Sequence, residues 1–318
     1  MVDSKHQWKA WLYLAPAIVL LLVFTVWPII NTVRLAFLEN YNSLAAVNTE
    51  EVVTFNVGIG NFKSVLNYDG FLTALRNTMI LTVITVPLST LLALLIAVAL
   101  NSIKPLRKFF QTIFFLPYVT NSIAIGMVFA AMFNCIGTPA ILARGYGSYG
   151  IVNEFLQLFM GDNFYINRIN AGSGYVPNMI VLIIYIVWNA LPFKILILLG
   201  GLQSVNKQYY EAAKVDSTPR WRVFTKITVP LLSPMIAYVV ITGFIGGFKE
   251  YSSIVGIFGD TMGPTGAPGR LNTIVGMIYD VLPKQDYGLA SAAALILFAI
   301  IFAVTMVNMW VSKKRVHY

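Results

Sequence analysis

Chemistry in this chain has few places to sit. Of 318 residues, 58% are hydrophobic and only 11% are charged, against about 25% charge in an ordinary soluble domain. Lys194 and the pair Lys249-Glu250 are charges set inside apolar runs. A charge near the centre of a bilayer costs roughly 2.5–3.5 kcal/mol on insertion scales, so it turns toward a cavity or a partner. Trp188 and Asn189 precede one of these charges, and Tyr251 follows the other two. Their side chains are able to stack on a polar solute or hydrogen-bond it. Trp188, Asn189, Lys249, Glu250 and Tyr251 therefore make a candidate path for a polar solute. Neighbours on a helix diverge by about 100°, so Lys249 and Glu250 cannot both face one lumen fully. The competing readings are pairing with a companion subunit, snorkelling to the interface and, for Trp188, plain packing.

The second candidate is the polar stretch Glu211 to Pro230, caught between two apolar runs within an inner connection of about 201–231. Asn206 or Ser204 can cap a short helix through Asp216, because either side chain can accept from a free backbone N–H. Thr218-Pro219 then reads as an N-cap followed by proline at the first helical position. The result is helix, tight turn, helix. Tyr210 and Lys214 share a face at i, i+4, whereas Glu211 and Asp216, five apart, need not. By composition alone the same stretch reads equally as an interfacial helix lying on anionic lipid.

Covalent chemistry finds no support. There is no Gly-x-x-x-x-Gly-Lys-Ser/Thr phosphate loop and no Gly-Lys pair, so the chain is expected not to hydrolyse ATP. No Gly-x-Ser-x-Gly elbow occurs, and His6 and His317 stand at opposite ends. Cys135 is the only cysteine, which excludes an intrachain disulfide or a thiolate cluster and leaves packing as its expected use. No metal or cofactor is expected in the chain itself.

The elements that must position these residues are apolar runs of the length needed to cross a hydrocarbon core of about 30 Å. Six are readable, at about 11–33, 73–100, 111–134, 176–200, 232–258 and 288–311. Strand-like alternation is missing, so helices must satisfy the backbone in lipid. The expected fold is an all-α, polytopic membrane protein, a single transmembrane domain over 1–318. The first run is too long for a signal-peptide core and lacks a small-residue cleavage site, so it reads as a retained span. On the fifth run Gly243, Gly246 and Gly247 permit close helix approach, within this chain in preference to a second one.

Charge sets the orientation. With the N-terminus inside, the inner segments hold Lys5, Lys9, Lys104, Arg107, Lys108, Lys207, Lys214, Arg220, Arg222, Lys226, Lys313, Lys314 and Arg315. The outer loops hold only Lys63, Arg144, Arg168, Arg270 and Lys284. This is a positive-inside bias, and six spans return the C-terminus to the cytoplasm. The net charge of +9 thus reflects topology, and nucleic-acid binding is not expected. The outer connections 38–70, 136–175 and 259–286 are long. The first holds Glu39, Glu50, Glu51 and Asp69, and the second is rich in glycine, with Gly145, Gly147, Gly150, Gly161, Gly172 and Gly174. Loops of that length usually have a use, here a docking surface for an outside partner.

The ordered residues Glu211-Ala212-Ala213, Asp216, Phe224, Ile227 and Pro230 resemble the signature loop of binding-protein-dependent ABC importer permeases. The resemblance runs from Leu14 to Val311. It includes Leu14-Ala15-Pro16, Gly60-Asn61-Phe62, Asn77-Thr78, Trp188, Leu202-Gln203, Phe248-Lys249, Gly263-Pro264, Ile278-Tyr279 and Tyr287 through Ala292. The chain is most similar to the first permease of sugar and oligosaccharide importers, the branch of the larger maltose permease subunit. That resemblance implies a type I ABC importer permease fold in a bacterial-type inner membrane. It implies a second permease, two ATPase subunits carrying ATP and Mg, and an outside solute-binding protein as partners. Glu211, Ala212, Ala213, Asp216, Ser217 and Pro230 would belong to the segment that couples to an ATPase. Two features depart from the family: Ser217 stands where glycine is usual, and the large outer insertion of the maltose permease is missing. A stand-alone secondary transporter or channel is the alternative. It predicts internal repeats with interrupted spans at matching positions, and no convincing repeat is seen.

Overall fold

The computed structural model describes residues 7–39, 41, 56–103, 107–136, 148–161 and 166–315. Lys5, Lys104, Arg144, Glu50, Glu51, Gly145, Gly147, His6 and His317 lie outside them. The fold is helical as expected, with one two-residue antiparallel pair, Cys135 opposite Tyr149 and Ile136 opposite Ser148. The chain divides into two compact units: Met1–Phe71 with Met277–Phe298, and Leu72–Gly276 with Ala299–Tyr318.

In the first unit, the apolar helix Trp11–Phe37 has none of its membrane-length window buried within the chain. It passes through a π-helical turn, Leu22–Val26, just before Pro28. The helix ends on the Gly60-Asn61-Phe62 motif. Asn61 donates to the carbonyls of Ala36 (3.1 Å) and Leu38 (2.8 Å), and Phe62 packs on Phe37 with ring centroids 5.1 Å apart. Gly60 donates its N–H to the Glu39 carboxylate at 2.6 Å, and a Cβ there would lie 2.7 Å from that oxygen. These side chains supply partners that a helix end otherwise lacks. The connection over 38–70 therefore contains a helix, Gly60–Leu66, as well as turns. Asp286 opens the last helix by accepting from Leu289 N–H at 3.0 Å.

The second unit holds the long helices Phe71–Ser102 and Tyr175–Ser204, with Pro87 and Pro192 inside them. Two of the six runs are broken. The 111–134 run forms Arg107–Val119 and Ser122–Phe133, because Asn121 turns its side chain onto the N–H groups of Ile123 and Ala124 and starts a new helix. The 232–258 run forms Ser233–Phe248 and Ser252–Phe258, with Lys249, Glu250 and Tyr251 between them. Among the described residues four helices are long and apolar enough to cross a membrane, and the count is five if Arg220–Leu231 and Ser233–Phe248, bent by 68°, are taken as one broken span. The count of six spans is thus approximate, since breaks interrupt runs that hydropathy reads as continuous. The lobe over 136–175 carries a helix of its own, Ile151–Met160, as does 259–286 with Ile274–Val281.

Two apolar clusters anchor this unit. One gathers Leu81, Phe133, Met179, Leu182, Tyr185 and Ile254; the other gathers Ala93, Ala97, Leu198, Leu199, Leu232 and Val239. The half-helices Ser122–Phe133 and Ser252–Phe258 cross at glycine. A Cβ on Gly126 would lie 2.7 Å from the Gly256 Cα, and one on Gly256 would lie 3.0 Å from the Gly126 Cα. Backbone meets backbone there, and no rotamer change can make room. Overpacking costs typically 1–3 kcal/mol, so Gly126→Val and Gly256→Val should each lower the thermal midpoint of the purified protein. Gly200→Ala, whose Cβ meets nothing within 4 Å, should not. A Gly126→Val protein as stable as the parent would rule out this crossing.

Candidate functional site: an intramembrane cavity and a polar connecting segment

Lys194 is 4% exposed and sits near the middle of the Tyr175–Ser204 helix. Its ammonium donates to the Ser89 hydroxyl at 2.7 Å, the Thr90 hydroxyl at 3.0 Å and the Val86 carbonyl at 3.2 Å. An ammonium carries three donors, so the set is filled. All three acceptors come from the turn around Pro87, where the ring removes one backbone N–H from the ladder. Ser89 and Thr90 also donate back to the carbonyls of Thr85 and Val86. Lys194 was legible as a charge in a run, but it was not among the residues assigned to the solute path.

Lys194 borders a cavity of about 460 Å³. Its walls come from three long helices. Thr85, Val86 and Ser89 stand on one, Asn189 and Lys194 on the next, and Thr242, Gly243, Gly246 and Gly247 on the third. The two breaks complete it, with Thr120 and Ser122 from the first and Glu250 from the second. Gly243 and Gly247 bring the third helix against the first. A Cβ on Gly243 would lie 3.0 Å from Val86 Cγ1 and 3.2 Å from Lys194 Nζ, and one on Gly247 would lie 2.9 Å from Thr82. Gly246 has open space before it. The glycine stretch therefore serves packing within the chain, as its spacing suggested.

The five residues assigned to the solute path separate. Asn189 lines the cavity and donates to the Ser122 hydroxyl at 3.3 Å. Glu250 lines it too, accepting from Ser253 N–H at 3.1 Å, while its own carbonyl accepts from the Thr273 hydroxyl at 2.9 Å. Trp188, one step round the helix from Asn189, packs on Phe129 with centroids 5.1 Å apart, and Tyr251 packs against the same apolar cluster. Lys249 is the exposed C-cap of its helix and does not border the cavity. The expectation that Lys249 and Glu250 face apart holds, but the cause is a helix break and not a 100° step.

The polar segment folds as helix, turn and helix. Asn206, not Ser204, caps Lys207–Val215, accepting from Gln208 N–H at 3.0 Å; Ser204 donates instead to Gly201 O. The helix ends in a Schellman motif: Thr218 N–H bonds Ala213 O at 2.9 Å and Ser217 N–H bonds Lys214 O at 3.1 Å. That motif requires a left-handed residue, usually glycine, and Ser217 occupies it with φ 50°. The turn is kept without the glycine. Pro219, not Thr218, is the N-cap residue of Arg220–Val223, which places the proline one position earlier than expected. A π-helical turn, Phe224–Thr228, leads to Val229–Leu231, with Pro230 half-buried. Ala213 is buried and Tyr210 approaches the Thr228 hydroxyl at 3.4 Å, which seats the first helix. Glu211, Ala212, Asp216 and Ser217 remain exposed.

Outside the spans, Cys135 packs as expected, 3% exposed, with the Asn153 amide against its sulfur at 2.7 Å. Burial pushes the thiol pKa up; the Asn153 hydrogen bond and the Arg168 charge oppose that.

Apolar helices around a polar, glycine-faced cavity, joined through a folded polar segment, define a membrane permease. The chain belongs to the binding-protein-dependent transport system inner membrane components, a family that matches residues 86–317. It is similar to the lactose transport system permease LacF of Rhizobium radiobacter, 27% identical over 310 residues, 96% of this chain and 95% of that protein. It is also similar to the arabinooligosaccharide permease AraP of Halalkalibacterium halodurans, 30% identical over 302 residues, 94% of this chain and 86% of that one. Its fold matches a bacterial alginate ABC transporter solved with an alginate pentasaccharide-bound periplasmic protein. The TM-score there is 0.75 at 21% identity, over 98% of this chain and 96% of that one. Membership of this family sets aside a stand-alone transporter or channel.

The Lys194 contacts predict a sign. Exchanging a buried charge for an apolar side chain of similar shape is often near neutral, whereas an uncompensated buried charge costs about 3–5 kcal/mol. Lys194→Met should therefore fold with nearly the parent's thermal midpoint. Lys194→Glu, which sets a carboxylate against the Val86 carbonyl, should fall far below it in yield and midpoint. A Lys194→Glu protein as stable as the parent would mean that the ammonium does not occupy this position.

Proposed function

We propose that this chain is the first permease of an ABC importer for a sugar or oligosaccharide, with the cavity beside Lys194 as its share of the solute path. Asn189, Glu250, Ser122, Thr120 and Thr242 offer hydroxyl, amide and carboxylate groups to sugar hydroxyls, and Tyr118 and Phe193 border the same space as stacking surfaces. The solute classes in the names of LacF and AraP support this substrate class. In this reading a solute-binding protein delivers the sugar from outside, a second permease completes the path, and both termini lie in the cytoplasm. Two ATPase subunits hold ATP and Mg, and this chain hydrolyses nothing itself. The whole of 1–318 acts as one transmembrane domain, with 201–231 as its coupling loop.

The observation that carries the reading is connectivity. The Tyr175–Ser204 helix, which brings Asn189 and Lys194 to the cavity, continues through Asn206 into the Lys207–Val215 helix. The same segment then leads into Ser233–Phe248, which brings Thr242, Gly243 and Gly247. Both cavity walls thus converge on one short helix. At 1.5 Å per residue, Ser204 lies about 15 Å from Lys194 along a rigid helix. A push on Lys207–Val215 by an ATPase closing on ATP would move two walls together and turn the path from outward to inward facing. Glu211, Ala212, Asp216 and Ser217 present the exposed side of that segment to an ATPase cleft, with Ala213 buried and Tyr210 reaching Thr228 behind it, two residues before Pro230.

Glu211 gives the test. Truncating one partner of a buried charged pair costs 2–5 kcal/mol, against under about 1 kcal/mol for an exposed one. With a basic partner in the cleft, Glu211→Lys adds like-charge repulsion, so the substituted permease should insert normally yet lose transport and ATPase co-purification. Transport and co-purification at the level of the unmodified chain would remove Glu211 from the interface.

A further inference from the structure

Charge is divided unevenly within the polar segment. From Lys207 to Asp216 two basic residues, Lys207 and Lys214, balance Glu211 and Asp216. Beyond the turn, Arg220, Arg222 and Lys226 follow within seven residues, and the next acidic residue is Glu250. All three cations are exposed. Among the described residues, none of their charged side-chain groups has a hydrogen-bond or ion-pair partner. Trp221 stands between the two arginines, 72% exposed, with its ring against Phe224 at 5.6 Å. The helical stretch Arg220–Leu231 that carries them meets the spanning helix Ser233–Phe248 at 68°.

Each of these features has a physical consequence. With Ser233–Phe248 along the bilayer normal, a stretch turned 68° from it runs closer to the membrane plane than to the normal. Exposed tryptophan is enriched at the headgroup level, where its apolar face and N–H are both satisfied. Cations near an anionic leaflet gain attraction of roughly fivefold in binding for each Lys or Arg. The stretch Lys207–Asp216 has no net charge by comparison and exposes Glu211 and Asp216, so it lacks that attraction.

We propose that Arg220, Trp221, Arg222 and Lys226 form a docking surface for anionic phospholipid headgroups. The polar segment thus has two faces of different chemistry: Lys207–Val215 for a protein cleft and Arg220–Lys226 for the bilayer surface. The lipid surface holds one end of the helix pair in place, and the Schellman turn at Ser217 joins the held end to the moving one. The occupant is lipid and not the ATPase because the patch combines a cluster of exposed cations with an exposed tryptophan on a stretch that bends into an apolar helix.

The test uses the whole transporter purified with its partner subunits and placed in bilayer discs of phosphatidylcholine with increasing phosphatidylglycerol. Lipid retained after delipidation is identified by mass spectrometry. The unmodified complex should retain phosphatidylglycerol selectively, and its solute-stimulated ATPase rate should rise with the phosphatidylglycerol fraction. The triple variant Arg220→Gln, Arg222→Gln, Lys226→Gln should insert and hold its ATPase, yet lose the selective retention. It should need several-fold more phosphatidylglycerol for half-maximal stimulation. Trp221→Phe should reduce the quenching of tryptophan fluorescence by brominated phosphatidylglycerol without abolishing it, because Trp8, Trp11, Trp27 and Trp310 are exposed as well. Equal retention and an unshifted lipid response in the triple variant overturn the proposal. Release of the ATPase by that variant in pure phosphatidylcholine also overturns it and assigns the patch to the protein cleft. Because Glu211→Lys is read separately by ATPase co-purification, failure of the coupling assignment would leave this lipid result standing, and the reverse holds equally.

Discussion

An ammonium enclosed among apolar helices must fill its donors, and Lys194 fills all of them on one turn of the neighbouring helix. The acceptors stand together because Ser89 and Thr90, on the turn that follows Pro87, present their hydroxyls beside the Val86 carbonyl. This contact fixes the registration of Phe71–Ser102 against Tyr175–Ser204. Gly243 then sets a third helix against both, where an added Cβ would press on Val86 Cγ1 at 3.0 Å and Lys194 Nζ at 3.2 Å. The cavity is the space left between three helices whose spacing is fixed at this level. Its polar lining costs little because each polar group that borders it without a partner in the chain can meet solvent or solute.

The breaks in the third and fifth apolar runs follow from the same constraint. A backbone in hydrocarbon cannot leave its N–H and C=O groups unpaired, so irregular chain is tolerated only where it is capped or lines a cavity. Asn121 caps one break and the Glu250 carboxylate accepts from Ser253 at the other. Both breaks deliver residues to the cavity, Ser122 and Glu250. The half-helices beyond them meet at Gly126 and Gly256, backbone against backbone. Two cavity walls join the polar segment, one through the extended pair Val205-Asn206 and the other through the 68° bend before Ser233.

Much of this was legible in the sequence, and what was missed has identifiable causes. Apolar runs, a cap at Asn206 or Ser204 and the packing use of Gly243 and Gly247 follow from length, capping chemistry and side-chain size. The Gly60-Asn61-Phe62 motif was legible as a resemblance, and the contacts with Ala36, Leu38 and Phe37 supply its reason. The breaks were not legible, because a hydropathy window averages across Thr120-Asn121 and Lys249-Tyr251. Trp188 was assigned to the path beside Asn189, yet 100° of helix rotation sends one to the core and the other to the cavity. Lys194 was undervalued because its three acceptors lie over 100 positions away in sequence. Ser217 was read as a departure, but a left-handed turn tolerates serine at a modest cost, since φ 50° is reached without rebuilding the Schellman bonds.

The central claim is that a solute passes through the cavity that Asn189 and Glu250 line and that Lys249 and Trp188 do not. Single cysteines at these four positions, in a Cys135→Ser background of the assembled transporter, can be reacted with a small hydrophilic thiol reagent with and without saturating sugar. The account predicts that Asn189→Cys and Glu250→Cys are labelled and that sugar protects both, while Lys249→Cys is labelled equally with or without sugar and Trp188→Cys is unreactive. Protection at Lys249 or Trp188, with none at Asn189 and Glu250, would contradict it.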